Sequence, residues 1–451
     1  PPQVAHLLRA HVRSSALEPV ARLRTDRRRV ELRDSDGKRM VEIDDDEVSV
    51  LVAGPDGRGR RVAARFRELE VELAGDGAIS ALEEVVARLR AAGAGAQDST
   101  PKVVRALGPR ALAPSDVVAG DVGPKSTAGD VLRAAIASSV ARLLEHDPGV
   151  RLGDDPEDVH QARVATRRLR SDLRTFRELL DEAWVQPQRD ELGWIAGLLG
   201  AVRDTDVLLE HLQADAATLD ASDAPAGAAL LRRLEGERRT ARAELLAALD
   251  SPRYVTLLDA LVDAARAPGF VRPLDPEPVL PVPPEPANAS ADAPTLSDPG
   301  DVPPSPAPPP SPDDAASDVV PVLVARPWRR LRRSVVELGD APADEALHEV
   351  RIASKRCRYA AEAAVPVFGK SAARFADAVA GLQGVLGDLN DAVVAEAWLR
   401  DAAGRAPAAQ VLVVGELIAR QRQKAADCRK QWPSQWKKAS AKKLRVWLSG
   451  P

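Results

Sequence analysis

The stretch HQARVATRRLR, His160 to Arg170, returns later in the chain as HEVRIASKRCR, His348 to Arg358. Read as helices, both copies place a histidine and several basic residues at steps of three and four. These residues are His160, Arg163, Arg167, Arg170 and Arg174 in the first copy, and His348, Arg351, Lys355 and Arg358 in the second. Side chains at such steps share one face, so each helix is predicted to carry a cationic row beside an apolar face.

Acidic residues are missing from both rows. No Asp or Glu lies between His160 and Arg170, or between Arg351 and Arg358. Like charges at these steps destabilise a helix by about 0.2–0.5 kcal/mol per pair. An external polyanion would offset the repulsion, which favours polyphosphate, a nucleic-acid backbone or an acidic partner. The alternative for each histidine is a capping or packing role, but two matched contexts favour binding.

A second repeated segment indicates an internal duplication. GLLGAVRD at 197–204 corresponds to GVLGDLND at 384–391, an offset of 187 residues against 188 for the two histidines. The spacing predicts two helical halves, 126–268 and 318–451, which pair about a pseudo-twofold axis. The intervening segment 269–317 is rich in Pro, Ala and Asp, and we expect it to be disordered.

The overall composition suits packed helices with aliphatic cores. Of 451 residues, 45% are apolar and 3% aromatic, and the net charge of −4 conceals the segregated basic rows. The two cysteines, Cys357 and Cys428, exclude a disulfide framework, and Cys357 is expected to be a buried thiol. No apolar run has the roughly 20 residues of a membrane span. We therefore expect a cytoplasmic protein that does not contact the membrane.

The N-terminal region has the alternation of β-strands. RRRVELRDSDGKRMVEIDDDEVSV predicts two strands joined at Asp36-Gly37, and a turn at Gly54 to Gly59 leads into RRVAARFRELEVEL. In that third strand Glu68, Glu70 and Glu72 share one face. The row is either a solvated sheet face or a carboxylate wall for Mg²⁺ or Mn²⁺.

These strands resemble the C-terminal half of a CYTH domain, the triphosphate tunnel metalloenzyme family. The resemblance is carried by Thr25-Asp26 with Arg29, by Glu42 with Asp45 or Asp46, and by the glutamates at 68, 70 and 72. It implies that Arg29 binds triphosphate and that Glu42, Glu68, Glu70 and Glu72 hold Mg²⁺ or Mn²⁺. The family's opening E-x-E-x-K strand has no counterpart in this sequence, which begins at Pro1. We expect triphosphatase activity only if strands upstream complete the tunnel.

The duplicated unit resembles the CHAD family of conserved-histidine α-helical domains. The motif on which this resemblance rests is H-x-x-R-x-x-x-[RK]-R-x-R, present in each half and followed there by G-x-L-G-x-x-x-D. The resemblance implies binding of inorganic polyphosphate without a cofactor. The implied binding residues are His160, Arg163, Arg167, Arg168, Arg170 and Arg174 in the first half, and His348, Arg351, Lys355, Arg356 and Arg358 in the second. A CYTH domain ahead of a CHAD domain is a recurrent pairing, so each resemblance supports the other.

Two other functions stay open at this point. Nucleic acid is a rival because phosphate neutralisation does not depend on what joins the phosphates, although the rows offer only Phe176 and Tyr359 for base stacking. A scaffold protein on polyphosphate granules is the other alternative. The oligomeric state is not decided by the sequence.

The predicted fold class is α+β. A truncated antiparallel β-tunnel half, residues 1–97, is followed by a linker, residues 98–125, and then by an all-α duplicated helical bundle with pseudo-twofold symmetry.

Overall fold

The computed structural model describes residues 2–53, 60–74, 79–271, 309–405 and 407–449. Within these ranges the strands are β1 (Arg22–Arg33), β2 (Arg39–Ala53) and β3 (Arg60–Leu73). The helices are α1 (Pro2–Leu7), α2 (Arg9–Val12), α3 (Ile79–Ala91), α4 (Lys102–Leu107), α5 (Ala128–Leu152), α6 (Pro156–Thr175), α7 (Glu182–Ala216), α8 (Ala224–Leu249), α9 (Pro252–Arg266), α10 (Ala316–Val336), α11 (Asp344–Ala363), α12 (Val365–Phe368), α13 (Lys370–Ala403) and α14 (Ala408–Ala439). A small three-stranded antiparallel sheet near the N-terminus is thus followed by the helical region that begins at α5, which confirms the predicted fold class.

The two helices with cationic rows are α6 and α11, and local sequence explains where they begin. Helix α6 starts at Pro156, and the Asp155 side chain accepts a hydrogen bond from the Glu157 amide. In α11 the first turn carries Asp344 and Glu345, which interact favourably with the helix dipole. Each helix buries its apolar stripe in the core, and burial of a side chain such as Leu169 contributes about 1.5–3 kcal/mol.

The duplication predicted from the sequence is present in the helices. Helices α10, α11 and α13 begin 188 residues after α5, α6 and α7, respectively. Helix α6 packs between α5 and α7, and α11 packs in the same way between α10 and α13. The two row-bearing helices also contact each other. The predicted disordered segment 269–317 falls largely on residues 272–308, which lie outside the described residues; α10 already begins at Ala316.

Contacts divide the chain into a helical unit, residues 1–14 and 116–451, and a β unit, residues 15–115. The first residues differ from the predicted boundary of the β region, because α1 and α2 pack on α5 and α2 also contacts α9. Ala10 is fully buried there, and Arg13 donates a 3.0 Å hydrogen bond to Asp259. A helix of four to six residues is too short to show a period in the sequence.

The β unit is a sheet in the order β1-β2-β3. The Asp36-Gly37 turn joins β1 to β2 as predicted, and Gly37 takes the positive φ of 80° that the turn requires. The predicted turn at Gly54 to Gly59 lies outside the described residues. Register pairs Arg27 with Asp46 and Asp46 with Glu68, so these residues share one face because side chains alternate along strands. Helix α3 contacts β2 and β3.

The segment predicted to be a linker contains the short helix α4. Residues 98–115 belong to the β unit by their contacts.

Candidate anion-binding site

The contact between α6 and α11 brings the two cationic rows together. Four of their side chains form what we call the central cluster: Arg163, Arg167, Arg351 and Lys355. Arg163 repels both Arg351 and Lys355 electrostatically. Lys355 is also repelled by Arg167 and Arg351. Residues from two repeats, 188 positions apart, therefore build one site.

The central cluster lacks internal counterions. Among the described residues, no carboxylate lies within ion-pair distance of Arg167, Arg351 or Lys355, whereas Arg163 contacts Asp204 at 2.9 Å. Asp204 is itself exposed and closes the repeated motif of the first half. Its counterpart Asp391 acts on Arg351 and Lys355 through longer-range attraction. The cluster therefore has acids at its edge and a surplus of positive charge at its centre.

Burial makes this surplus charge costly. Desolvation, followed by repulsion from Arg167, Arg351 and Arg163, lowers the pKa of Lys355 to about 7. Desolvation also lowers the pKa of Arg167 and of Arg351. The Arg351 Nε is buried and has no hydrogen-bond partner among the described residues. These are the properties of a cation site that an anion would stabilise.

A second group of arginines continues the row of α6. This distal cluster consists of Arg170, Arg174, Arg189, Arg330 and Arg356. Desolvation and then repulsion from Arg356 and Arg189 lower the pKa of Arg174 to about 10. Within the part of the chain that the structure describes, none of the five forms an ion pair with a carboxylate. Arg170 is exposed, so the distal cluster reaches solvent.

The two histidines of the motif differ in their surroundings. His160 is half-buried, and desolvation together with Arg203 lowers its pKa. His348 is exposed, and its Nδ1 lies 2.7 Å from the Asn390 Oδ1. Arg203 and Asn390 occupy matching positions, each just before the aspartate that closes the repeated G-x-L-G motif.

Two predicted binding residues, Arg168 and Arg358, already have an internal partner. Both contact Glu362, at 2.5 Å and 3.3 Å, and both lie over the ring of the buried Tyr359, at 5.6 Å and 4.8 Å. Beside them the fully buried Asp172 has its pKa raised by desolvation to about 8, so it is largely protonated at neutral pH. This group stabilises the α6–α11 contact and offers less free charge than the central cluster.

In the β unit, most of the predicted metal and triphosphate residues form ion pairs within the chain, among them Arg29, Glu42, Glu68 and Glu70. Arg29 contacts Asp44 at 2.8 Å and Glu42 at 2.9 Å. Glu68 and Glu70 converge with Asp46, while Glu72 lies further along the same sheet face, opposite Glu42. The Lys102 amine lies between the converging carboxylates. In this arrangement they do not fit Mg²⁺ or Mn²⁺, because an ammonium group already holds the position.

Sequence reasoning did not identify several residues of the helical site. Arg189 and Arg203 lie on α7 outside the repeated rows. The repeated aspartate of the G-x-L-G-x-x-x-D motif was the available signal for Asp204 and Asp391. No periodic pattern marks Arg189.

The sequence profile of the CHAD domain matches residues 134–400. Two uncharacterized proteins of Mycobacterium tuberculosis, from strains CDC 1551 and H37Rv, are each 30% identical over 420 residues, which covers 88% of this chain and 70% of each relative.

Two solved structures are also similar to this chain. PptA from Streptomyces chartreusis is similar with a TM-score of 0.51 and 25% identity, covering 69% of this chain and 100% of that one. The CHAD domain from the plant Ricinus communis shares the fold, with a TM-score of 0.50, 24% identity, and coverage of 75% and 96%. Among the described residues, no helix is long and apolar enough to cross a bilayer. The profile match over more than half of the chain shows that this protein belongs to the CHAD family.

Proposed function

We propose that the helical unit binds inorganic polyphosphate across the central and distal clusters. The observation that carries this proposal is the group of half-buried cations without carboxylate partners among the described residues, Arg167 and Arg174 on α6 and Arg351 and Lys355 on α11. Arg and Lys form charge-assisted hydrogen bonds with phosphate oxygens, and the guanidinium group can do so in bidentate fashion. Membership of the CHAD family supports the same ligand class.

The length of the run favours a polymer over a single phosphate. Arg163 and Arg174 are eleven residues apart, or about 16 Å along the helix axis. Successive cations of the row are about 5–6 Å apart. A single phosphate would contact only one or two of them, whereas a linear chain of phosphates can contact the whole row. Affinity is therefore expected to rise steeply with chain length.

The aromatic residues near the clusters argue against nucleic acid. Single-strand binders stack bases on exposed aromatic rings. Here Tyr359 is 5% exposed beneath Arg168 and Arg358, and Phe176 is fully buried. Neither ring offers a face to a base. A phosphate polymer without bases matches this surface better, and association with polyphosphate granules is the localisation that this proposal implies.

The test is a binding titration with long-chain polyphosphate and, in parallel, single-stranded RNA of matched charge. The proteins are the full chain and a variant with Arg163, Arg167, Arg351 and Lys355 changed to Ala. We expect the wild type to prefer polyphosphate and the variant to lose about a hundredfold or more in affinity, since charge-assisted contacts contribute about 1.5–3 kcal/mol each.

Two results would contradict the proposal. Equal or tighter RNA binding by the wild type would make the site a general polyanion or nucleic-acid surface. Unchanged polyphosphate binding by the folded variant would show that the central cluster is only a solvated helix face.

A further inference from the structure

A lysine side chain stands where three carboxylates of the β unit converge. The Lys102 Nζ lies 2.6 Å from Asp46 Oδ2, 2.9 Å from Glu68 Oε1 and 2.9 Å from Glu70 Oε1. The same three carboxylates could supply one ligand atom each to a metal ion. The ammonium group makes three donor contacts, which is all that it can make. The ammonium group thus occupies the place where a metal ion would lie and supplies positive charge there.

The converging carboxylates also contact arginines of the chain itself. Arg27 makes paired hydrogen bonds of 2.7 Å to Asp46 and also contacts Asp44 and Glu70. Arg29 binds Asp44, and Arg105 lies 3.4 Å from Glu68. The carboxylates at 44, 46, 68 and 70 are therefore matched by four cations at 27, 29, 102 and 105. An additional divalent ion at Asp46, Glu68 and Glu70 would have to displace Lys102 and compete with Arg27 and Arg105.

The sequence around α4 holds Lys102 in this position. The helix begins directly after Pro101, and Arg105, one turn later, contacts both Glu68 and Asp98 and lies 5.4 Å from the Phe66 ring. Asp98 in turn accepts a hydrogen bond from the Thr100 amide. Two adjacent turns of chain therefore direct Lys102 at the sheet. Burial opposes its charge, but hydrogen bonds to Asp46, Glu70 and Glu68 raise the pKa of Lys102, so it stays an ammonium ion.

We propose that Lys102 is the resident cation of this carboxylate set, that it excludes divalent metal ions, and that its removal uncovers a Mg²⁺ or Mn²⁺ site at Asp46, Glu68 and Glu70. Oxygen donors from three carboxylates are what these hard ions require. The β unit is then stabilised internally by ion pairs, and α4 acts as a built-in block of the site. This inference does not depend on polyphosphate binding by the helices.

The experiment is a Mn²⁺ titration of the full chain, with free Mn²⁺ followed by its electron paramagnetic resonance signal. Lys102→Met should bind one Mn²⁺ at least about tenfold more tightly than the wild type, because a unit positive charge beside the ligand atoms has been removed. Lys102→Arg, which keeps the charge, should not gain the site. Lys125→Met removes an exposed lysine elsewhere and serves as the matched control.

A second variant and a melting curve make the result decisive. Adding Glu70→Gln to Lys102→Met should abolish the gained site. If Lys102→Met is destabilised, Mn²⁺ should raise its melting temperature towards that of the wild type. Tight Mn²⁺ binding by the wild type would overturn the proposal. So would a Lys102→Met variant that neither binds Mn²⁺ nor is stabilised by it.

Discussion

The β unit and the helical unit both concentrate charge, but only the β unit neutralises it. On the sheet face, Arg27 contacts Asp44 and Asp46, and Lys102 contacts three carboxylates. In the central cluster of the helical unit, Arg167, Arg351 and Lys355 have no carboxylate within ion-pair distance among the described residues. The difference teaches that a dense charge pattern predicts a ligand only where the chain provides no counterion of its own.

The two regions should also respond oppositely to mutation. Removal of one member of a balanced set leaves its partner unpaired, which destabilises the fold. Removal of one member of an unbalanced cluster relieves repulsion and weakens only the binding of an external anion.

The largest expected effect concerns Asp172, the buried acid near Arg168 and Glu362. Its folded pKa of about 8 lies above the ordinary value of 3.8, so its stabilising protonated form is lost as pH rises towards 8. At alkaline pH, Asp172→Asn should have a higher melting temperature than the wild type. The difference in melting temperature between variant and wild type should be roughly 5–10 °C larger at about pH 9 than at about pH 6. Thermal melts at the two pH values check this. A difference that does not change with pH would show that Asp172 is already ionised in the fold.

On the balanced side, Asp46→Asn should destabilise the β unit. Asp46 is fully buried and accepts hydrogen bonds from Arg27 and Lys102. Loss of the carboxylate charge leaves Arg27 and Lys102 each with one ion-pair partner fewer. We expect the melting temperature to fall by roughly 5 °C, and not by more, because solvent screens the partly exposed Arg27. The exposed Asp26, 4.0 Å from Arg24, supplies the control Asp26→Asn, which should melt like the wild type. Equal melting of both variants would remove the contrast.

Polyphosphate affinity should fall above neutral pH. Free Lys355 has a pKa of about 7, and a bound polyanion raises it, so binding above that pH requires uptake of a proton. Affinity should weaken by up to about tenfold per pH unit as pH rises through this range. Lys355→Arg should flatten the profile without abolishing binding. A wild-type affinity that stays constant from about pH 7 to about pH 9 would contradict this assignment.

The smallest effect tests the unbalanced side directly. Arg167→Met keeps the aliphatic stem but removes a charge that burial and neighbouring arginines disfavour. Without anions the variant should melt at or slightly above the wild type, by roughly 1–3 °C, while its polyphosphate affinity falls. A clear drop in melting temperature would mean that Arg167 has an internal stabilising role.

Much of the helical site could be predicted because its pattern is local and repeated. The steps of three and four place Arg163, Arg167 and Arg170 on one face, and the offset of 188 residues identifies Arg351 and Lys355 as their counterparts. The same period separates Arg168 from Arg163 by about 140° around the helix, which agrees with its pairing to Glu362. The motif by itself does not distinguish Arg168 from cations that lack a carboxylate partner among the described residues, such as Arg167.

The remaining features depend on tertiary contacts that leave no periodic signal. Arg189 and Arg330 reach the distal cluster from α7 and α10, far from the repeated rows. Lys102 meets Asp46 across 56 residues of sequence, so the alternation of the strands could place the carboxylates but not their counterion. The alternation that the sequence indicated, which places Glu68 and Glu70 on one face of the sheet, is present.

The most direct test compares two variants that each lose four basic side chains from the helical unit. One changes the central cluster, Arg163, Arg167, Arg351 and Lys355, to Ala. The other changes four exposed cations that have carboxylate partners, Arg400, Arg405, Arg422 and Lys430, to Ala. Titration with long-chain polyphosphate should show a loss of about a hundredfold or more for the first variant and little change for the second. Equal losses would mean that net charge, and not the arrangement of the central cluster, determines binding.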